Sequence, residues 1–167
     1  ISGKIKLNDR IVVAPGTRKG TIKSLWDEEE EINEAFAGMD ISFLIKGDAE
    51  QDLRRGAVIG HEGKIPSSKP RIQVRLLYLG LQPLVLGNIS ILHAGSDHVE
   101  AELESIVKVY RKNNKFKNTP RTIDDKTIMI FNEEVASVIL DVKSPIVVEK
   151  SEDIPKLGRV ILRKKGR

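Results

Sequence analysis

The 167-residue chain contains no cysteine, which removes disulfides and thiolate metal ligands and fits a reducing compartment. Aromatic residues make up only 4% of it, too few for a platform that stacks successive unpaired bases. Long apolar runs are missing as well. The longest, "VASVIL" between Glu134 and Asp141 and "LQPLVLG" interrupted by Pro83, fall well short of the roughly 20 residues of a membrane-spanning helix. No signal peptide precedes Ile1, and position 1 is not Met, which we read as the mark of a fragment of a longer, cytoplasmic protein. A phosphate-binding loop is also lacking. "PGTRKGT" and "KGDAEQDLRRG" both miss the Lys that must follow the second Gly of Gly-x-x-x-x-Gly-Lys-[Ser/Thr], so no nucleotide hydrolysis and no cofactor are expected of these residues.

What is present is a globular composition, 40% hydrophobic and 31% charged, enough for one large or two small domains. Charge divides unevenly along it. Ile1 to Lys64 holds 10 Lys/Arg against 12 Asp/Glu and Ile65 to Arg167 holds 18 against 12, so the two parts carry −2 and +6. Within the second part, Lys108–Arg121 ("KVYRKNNKFKNTPR") and Lys156–Arg167 each hold six cations and no acid. Two separated basic blocks fit a surface for phosphate or for an acidic protein. The alternative is a solvated loop and tail that only keep the chain soluble.

Hydrophobic periodicity predicts strands almost throughout. "RIQVRLLYLG" puts Ile72, Val74, Leu76 and Tyr78 on one face, and "VVAP", "TIKSL", "DISFLIKG", "AVIG", "ISILH", "EVASVILDV", "PIVVEK" and "RVILRK" are short, mostly β-branched runs,. Turn residues separate them at the intervals of barrels or sandwiches. The acidic stretch "WDEEEEINEAF" is long enough for a turn or two of helix, but among strands it reads as a loop around one. "IPSSKP" is the expected linker,. The fold class is therefore all-β, with two consecutive antiparallel β-barrels over 1–64 and 65–167.

Gly38 and Gly56 stand at strand entries where a positive φ or a close backbone approach is expected, and Gly158 is read as a bulge. Arg159 and Arg163, four apart on a strand, share one side, opposite Val160 and Leu162. That pattern also describes an edge strand guarded by cations. Catalytic patterns are weak. His93 and His98 would need Asp97 or a distant carboxylate to hold zinc and are expected in turns or partly buried at strand ends; no metal site is assigned. Asp124–Asp125 and Glu28–Glu31 lack an opposing carboxylate, and Ser67–Ser68 lacks an activating base. For nucleic acid, Lys112, Lys115, Lys117 and Arg121 around Tyr110 and Phe116 interleave charge with aromatics and suit phosphate contact with structured RNA.

The order "GKIKLNDRIVVAPG", "GTIKSL", "AFAGMDISFLIKG", "QDLRRGAVIG" resembles the second domain of the translational GTPases related to elongation factors Tu and 1-alpha. "RIQVRLLYL", "PLVLGNISILHAGSDHVEAELESI" and "EVASVILDVKSPIVVEKSEDIPKLGRVILRKKGR" resemble the opening and closing strands of their third domain. The ending "GRVILRKKGR" is most similar to the branch of the release-factor GTP-binding subunit and the ribosome-rescue GTPase that works with Pelota. Val160 stands where that branch usually has an aromatic, and Lys164 where it often has an acid. The resemblance implies a partner surface at Gly158, Arg159, Leu162, Arg163 and Lys165 for a tRNA-shaped release or Pelota-like protein, acting in termination or mRNA surveillance. It also implies ribosomal RNA contact at Arg54 and Arg55, unless these pair locally with Asp48, Glu50 or Asp52. GTP and magnesium would belong to an upstream domain. Two other members of the superfamily remain open, an elongation-type factor carrying aminoacyl-tRNA and the GTPase subunit of a sulfate-activating adenylyltransferase.

Overall fold

The computed structural model describes residues 2–112, 118–121 and 129–165. In chain order the strands are β1 (Lys4–Lys6), β2 (Arg10–Ala14), β3 (Lys19–Asp27), β4 (Glu30–Ile32), β5 (Glu34–Phe36), β6 (Ser42–Lys46), β7 (Val58–His61), β8 (Arg71–Leu77), β9 (Leu84–Val85), β10 (Ile89–Ala94), β11 (Asp97–Lys112), β12 (Asn118–Arg121), β13 (Met129–Ile130), β14 (Val135–Val142) and β15 (Val160–Lys164). A 3-10 turn, Asp48–Asp52, is the one helical element among the described residues. The sheets form barrel-like folds, as the sequence predicts. Two compact units are present: Ile1–Ser68 with His93–His98 and Ile146–Ile161, and Lys69–Leu92 with Val99–Pro145 and Leu162–Arg167.

In the first unit a five-stranded sheet runs β4-β3-β2-β7, with β6 also on β3, and β1 pairs with β5. Its core is Ile11 and Val13 of β2, Ile22 and Leu25 of β3, Ile45 of β6 and Ala49 of the 3-10 turn. Strand β2 is buried on both faces, because Ala14 on its second side joins Val147 and Leu157 in another cluster. A strand covered on both sides reads as an unbroken apolar run, and "IVVA" does so. The acidic stretch is not a loop around a strand. Strand β3 runs to Asp27 and turns back through Glu28, at φ 53°, so that Asp27 pairs with Glu30 of β4, while β5 pairs with β1.

One expected strand is absent. "PIVVEK" has Ile146 and Val147 buried, yet it forms no ladder. Val148 N donates to Ser67 O at 3.1 Å and Glu149 N to Leu157 O at 3.3 Å, while the Glu149 carboxylate accepts from Ser67 N. Its hydrogen bonds go to two different segments, which satisfies the backbone without building a sheet. The "IPSSKP" stretch is therefore tied down at Ser67.

In the second unit the sheet order is β15-β10-β11-β14-β8, with β12 also on β11 and a separate β9–β13 pair. Strand β8 alternates exposed and half-buried residues as predicted, and β14 alternates half-buried residues with buried Ala136, Val138, Leu140 and Val142. Strand β11 breaks the rule. Register shifts between Leu103 and Ser105 and between Ile106 and Lys108 each insert an extra residue, so Leu103, Ile106 and Val109 face inward at intervals of three,.

Leu25 is fully buried and Leu44 is 55% exposed within the same unit. Leu25→Ala is expected to cost about 2–5 kcal/mol through the lost contacts and the cavity; Leu44→Ala is expected to stay within about 0.5 kcal/mol. The urea midpoint of each variant measures the difference.

Candidate partner and RNA surfaces

Strand β15 presents Arg159 (one residue before its start), Ile161 and Arg163 on its exposed side, with Val160 and Leu162 half-buried on the other. Ile161 is 61% exposed and lies between the two arginines, an apolar exposure that the charge pattern of the strand does not signal. Among the described residues neither Arg159 nor Arg163 has a carboxylate partner. Lys165 differs, since its Nζ lies 2.6 Å from Glu100 Oε1, and Lys164 donates to Gln82 Oε1 at 3.2 Å. The predicted partner set thus divides: Arg159 and Arg163 are open to solvent, Leu162 faces the half-buried side, and Lys165 is already engaged.

Gly158 is not a bulge. It precedes β15 in a turn where its N donates to Ile154 O at 2.9 Å, and a Cβ there would come within 2.3 Å of Ser151 Cα. Glycine is needed at this point because two backbones touch.

The two adjacent arginines of "LRRG" have separate surroundings. Arg54 Nη1 donates to Asp97 Oδ1 at 2.9 Å and Nη2 to Oδ2 at 2.8 Å, a fork-to-fork pair spanning 43 residues,. Asp97 is 6% exposed and also accepts from His98 N at 2.9 Å. The hydrogen bonds from Arg54 to Asp97 raise the guanidinium pKa above its ordinary value. Gly56, at φ +90°, makes the pair possible, because a Cβ on it would meet Asp97 Cβ at 2.6 Å. Local pairing of Arg54 with Asp52 does not occur: the Asp52 carboxylate is held by Arg18 Nη1 at 2.6 Å. Arg55 is exposed and has no carboxylate partner among the described residues. Gly38 has the expected positive φ, 104°.

Of the other RNA-facing candidates, Lys112 ends β11 opposite Asn118, and Arg121 ends β12 opposite Val109. Lys115 and Lys117 lie outside the described residues, as do Phe116 and Asp124–Asp125. His93, half-buried, and His98, exposed, flank the β10–β11 turn with rings stacked at 5.6 Å. No group of three potential metal ligands occurs among the described residues, and Asp97 is committed to Arg54.

Comparison with known proteins places this geometry. The family described as "GTP-eEF1A C-terminal domain-like" matches residues 71–167, more than half of the chain, and "Elongation factor Tu domain 2" matches residues 1–60. The chain belongs to the elongation factor 1-alpha/Tu-type translational GTPases. It is similar to elongation factor 1-alpha of Thermoplasma acidophilum, 28% identical over 99% of this chain and 38% of that protein. Elongation factor 1-alpha of Pyrobaculum aerophilum is 29% identical over 99% of this chain and 36% of that protein. The fold is that of Sup35 complexed with GMPPNP, with a TM-score of 0.86 and 21% identity, covering 98% of this chain and 39% of that one. The chain therefore spans well under half the length of the relatives it matches.

Neither glycine-rich stretch carries the lysine of a phosphate-binding loop,. The Arg54–Asp97 clasp ties the β10–β11 turn to the segment before β7. Gly56→Ala is expected to destabilise the first unit by about 1–3 kcal/mol, since it adds a methyl group against Asp97 at an unfavourable φ. Arg54→Met is expected to cost about 1–3 kcal/mol by stranding the Asp97 carboxylate. A double-mutant cycle with Asp97→Ala, read by urea unfolding, should return a favourable coupling between the two side chains.

Proposed function

We propose that this barrel pair holds a tRNA-shaped release or ribosome-rescue protein and positions it on the ribosome in translation termination or mRNA surveillance. The carrying observation is the exposed row Arg159, Ile161, Arg163 on β15. Two guanidinium groups without carboxylate partners among the described residues flank an apolar side chain. Such a row suits a protein surface whose acidic groups meet the arginines around an apolar contact. The ending's resemblance to the release and rescue branch supports the same partner class. GTP binding and hydrolysis would fall to an upstream domain of a cytoplasmic protein, whose switch state would move these barrels.

An elongation reading is favoured by a different observation, the naming of the archaeal relatives as elongation factor 1-alpha. In that reading the same surface holds the stem of an aminoacyl-tRNA. The two differ in the force that holds the partner. Phosphate contacts weaken steeply as salt rises, whereas a protein contact centred on Ile161 keeps an apolar component that salt does not screen.

The test is binding of the protein to a Pelota-type protein, to a stop-codon-reading release factor and to aminoacyl-tRNA, each at two salt concentrations. Arg159→Glu combined with Arg163→Glu is expected to weaken the protein partner by about 100-fold, with wild-type binding largely preserved at high salt. Salt-sensitive binding to tRNA alone would move the assignment to elongation. Binding to neither would overturn both.

A further inference from the structure

The outer face of the β8–β14–β11 sheet carries two kinds of cation, and their distribution is not random. At one end every basic residue of the face has a carboxylate. Arg71 Nη2 lies 2.8 Å from Glu104 Oε1, and Lys143 Nζ donates to Asp141 at 2.7 Å and to Glu102 at 2.6 Å. Those two hydrogen bonds, that to Asp141 the larger, raise the Lys143 pKa above its ordinary value. This end is neutralised internally.

At the other end the register aligns Arg75 of β8, Ser137 of β14 and Lys108 of β11 in one row, with Leu77, Val135 and Tyr110 in the next. The Arg75 guanidinium lies 5.0 Å from the Tyr110 ring centroid and Lys108 Nζ lies 5.2 Å from it. Both cations are exposed, and among the described residues neither has a carboxylate partner. Gln73 donates to Ser137 Oγ at 3.0 Å beside them, which leaves uncharged polar groups between the two positive strands. The acid nearest in sequence, Glu104, four residues before Lys108, is held by Arg71, and in the turn before β14 the Glu134 carboxylate accepts from Phe131 N at 2.9 Å.

The second β11 bulge makes this cluster. Under strict alternation from Ile106, Val107 would face outward and Lys108 inward; because Val107 is the inserted residue, Lys108 takes the outer position opposite Ser137,. From this row β11 continues into its pairing with β12, and from Lys108 to Arg121 the chain holds six cations and no acid. An acid-free run of cations in the sequence matches a linear series of phosphates better than a compact acidic patch, whose partners normally mix both signs. A tyrosine held between two cations adds a flat polarisable contact without the stacked aromatic series that unpaired bases require.

We propose that the Arg75–Tyr110–Lys108 face of the second unit is a contact surface for the phosphate backbone of structured RNA. It deepens the ribosome-related reading of the family and rests on that reading only for the source of the RNA. The β15 row plays no part in it.

The experiment measures fluorescence anisotropy of a labelled RNA hairpin with the protein between about 50 and 200 mM salt. Arg75→Gln with Lys108→Gln is expected to weaken binding at least tenfold and to reduce the slope of log K against log salt by about 2, one per lost phosphate contact. Arg159→Glu with Arg163→Glu should leave RNA affinity within about twofold, so failure of the protein-docking reading is distinguishable from failure of this one. A second variant, Tyr110→Leu, keeps both charges and is expected to weaken binding severalfold at an unchanged slope. Circular dichroism confirms that each variant is folded. Unchanged affinity and slope in the folded double variant would overturn the proposal, as would equal or tighter binding to polyglutamate, which would identify an acidic protein surface as the partner.

Discussion

Gly56 and Asp97 approach so closely that no side chain fits between them, and the first unit's surface depends on that contact. A carboxylate 6% exposed is expensive to desolvate and is retained only where its oxygens are filled. Arg54 fills one lone pair on each oxygen, and His98 N adds a third hydrogen bond. The clasp secures the turn between β10 and β11 to the segment before β7. One consequence is chemical. Arg54 is held by Asp97, while Arg55, its neighbour in sequence, is exposed with no carboxylate partner among the described residues.

That division recurs across the molecule. Arg18, Arg54, Arg71, Lys143 and Lys165 each meet a carboxylate, whereas Arg55, Arg75, Lys108, Arg159 and Arg163 meet none among the described residues. Exposed ion pairs contribute little stability individually, but pairing cancels the field a cation projects outward. A surface made of the second group is positive at a distance, and one made of the first is not. Net charge alone, +4 for the chain, does not reveal where that field lies.

The sequence made the simplest elements legible. Strands β8 and β14 have a solvent face and a core face, so their side chains alternate and their register follows. The glycine positions at 38 and 56 were readable for the same reason: positive φ and close approach leave few alternatives. Elsewhere the determining partner is distant. The Arg54–Asp97 pair spans 43 residues, and the nearer acids that local reasoning offers are occupied or out of reach. "PIVVEK" has strand composition but no edge to join, and Gly158 is required by Ser151 rather than by its own strand. In β11, two inserted residues shift the inward positions to intervals of three, so period-two counting misplaces Ile106 and Val107. The Arg75–Tyr110–Lys108 row is invisible until that register is known.

The two candidate surfaces differ in what they ask of a partner. On β15 an apolar side chain separates the arginines, so burial of Ile161 by a partner would contribute attraction that salt leaves intact beside the charge contacts of the arginines. On the β8–β14–β11 face, Ser137 and the Gln73 amide separate the cations, and attraction comes chiefly from charge. A partner there gains speed of encounter and loses affinity as ionic strength rises. Under the proposed function that asymmetry would suit delivery, because the contact with a strong apolar part would keep the carried partner while the electrostatic one is made and released.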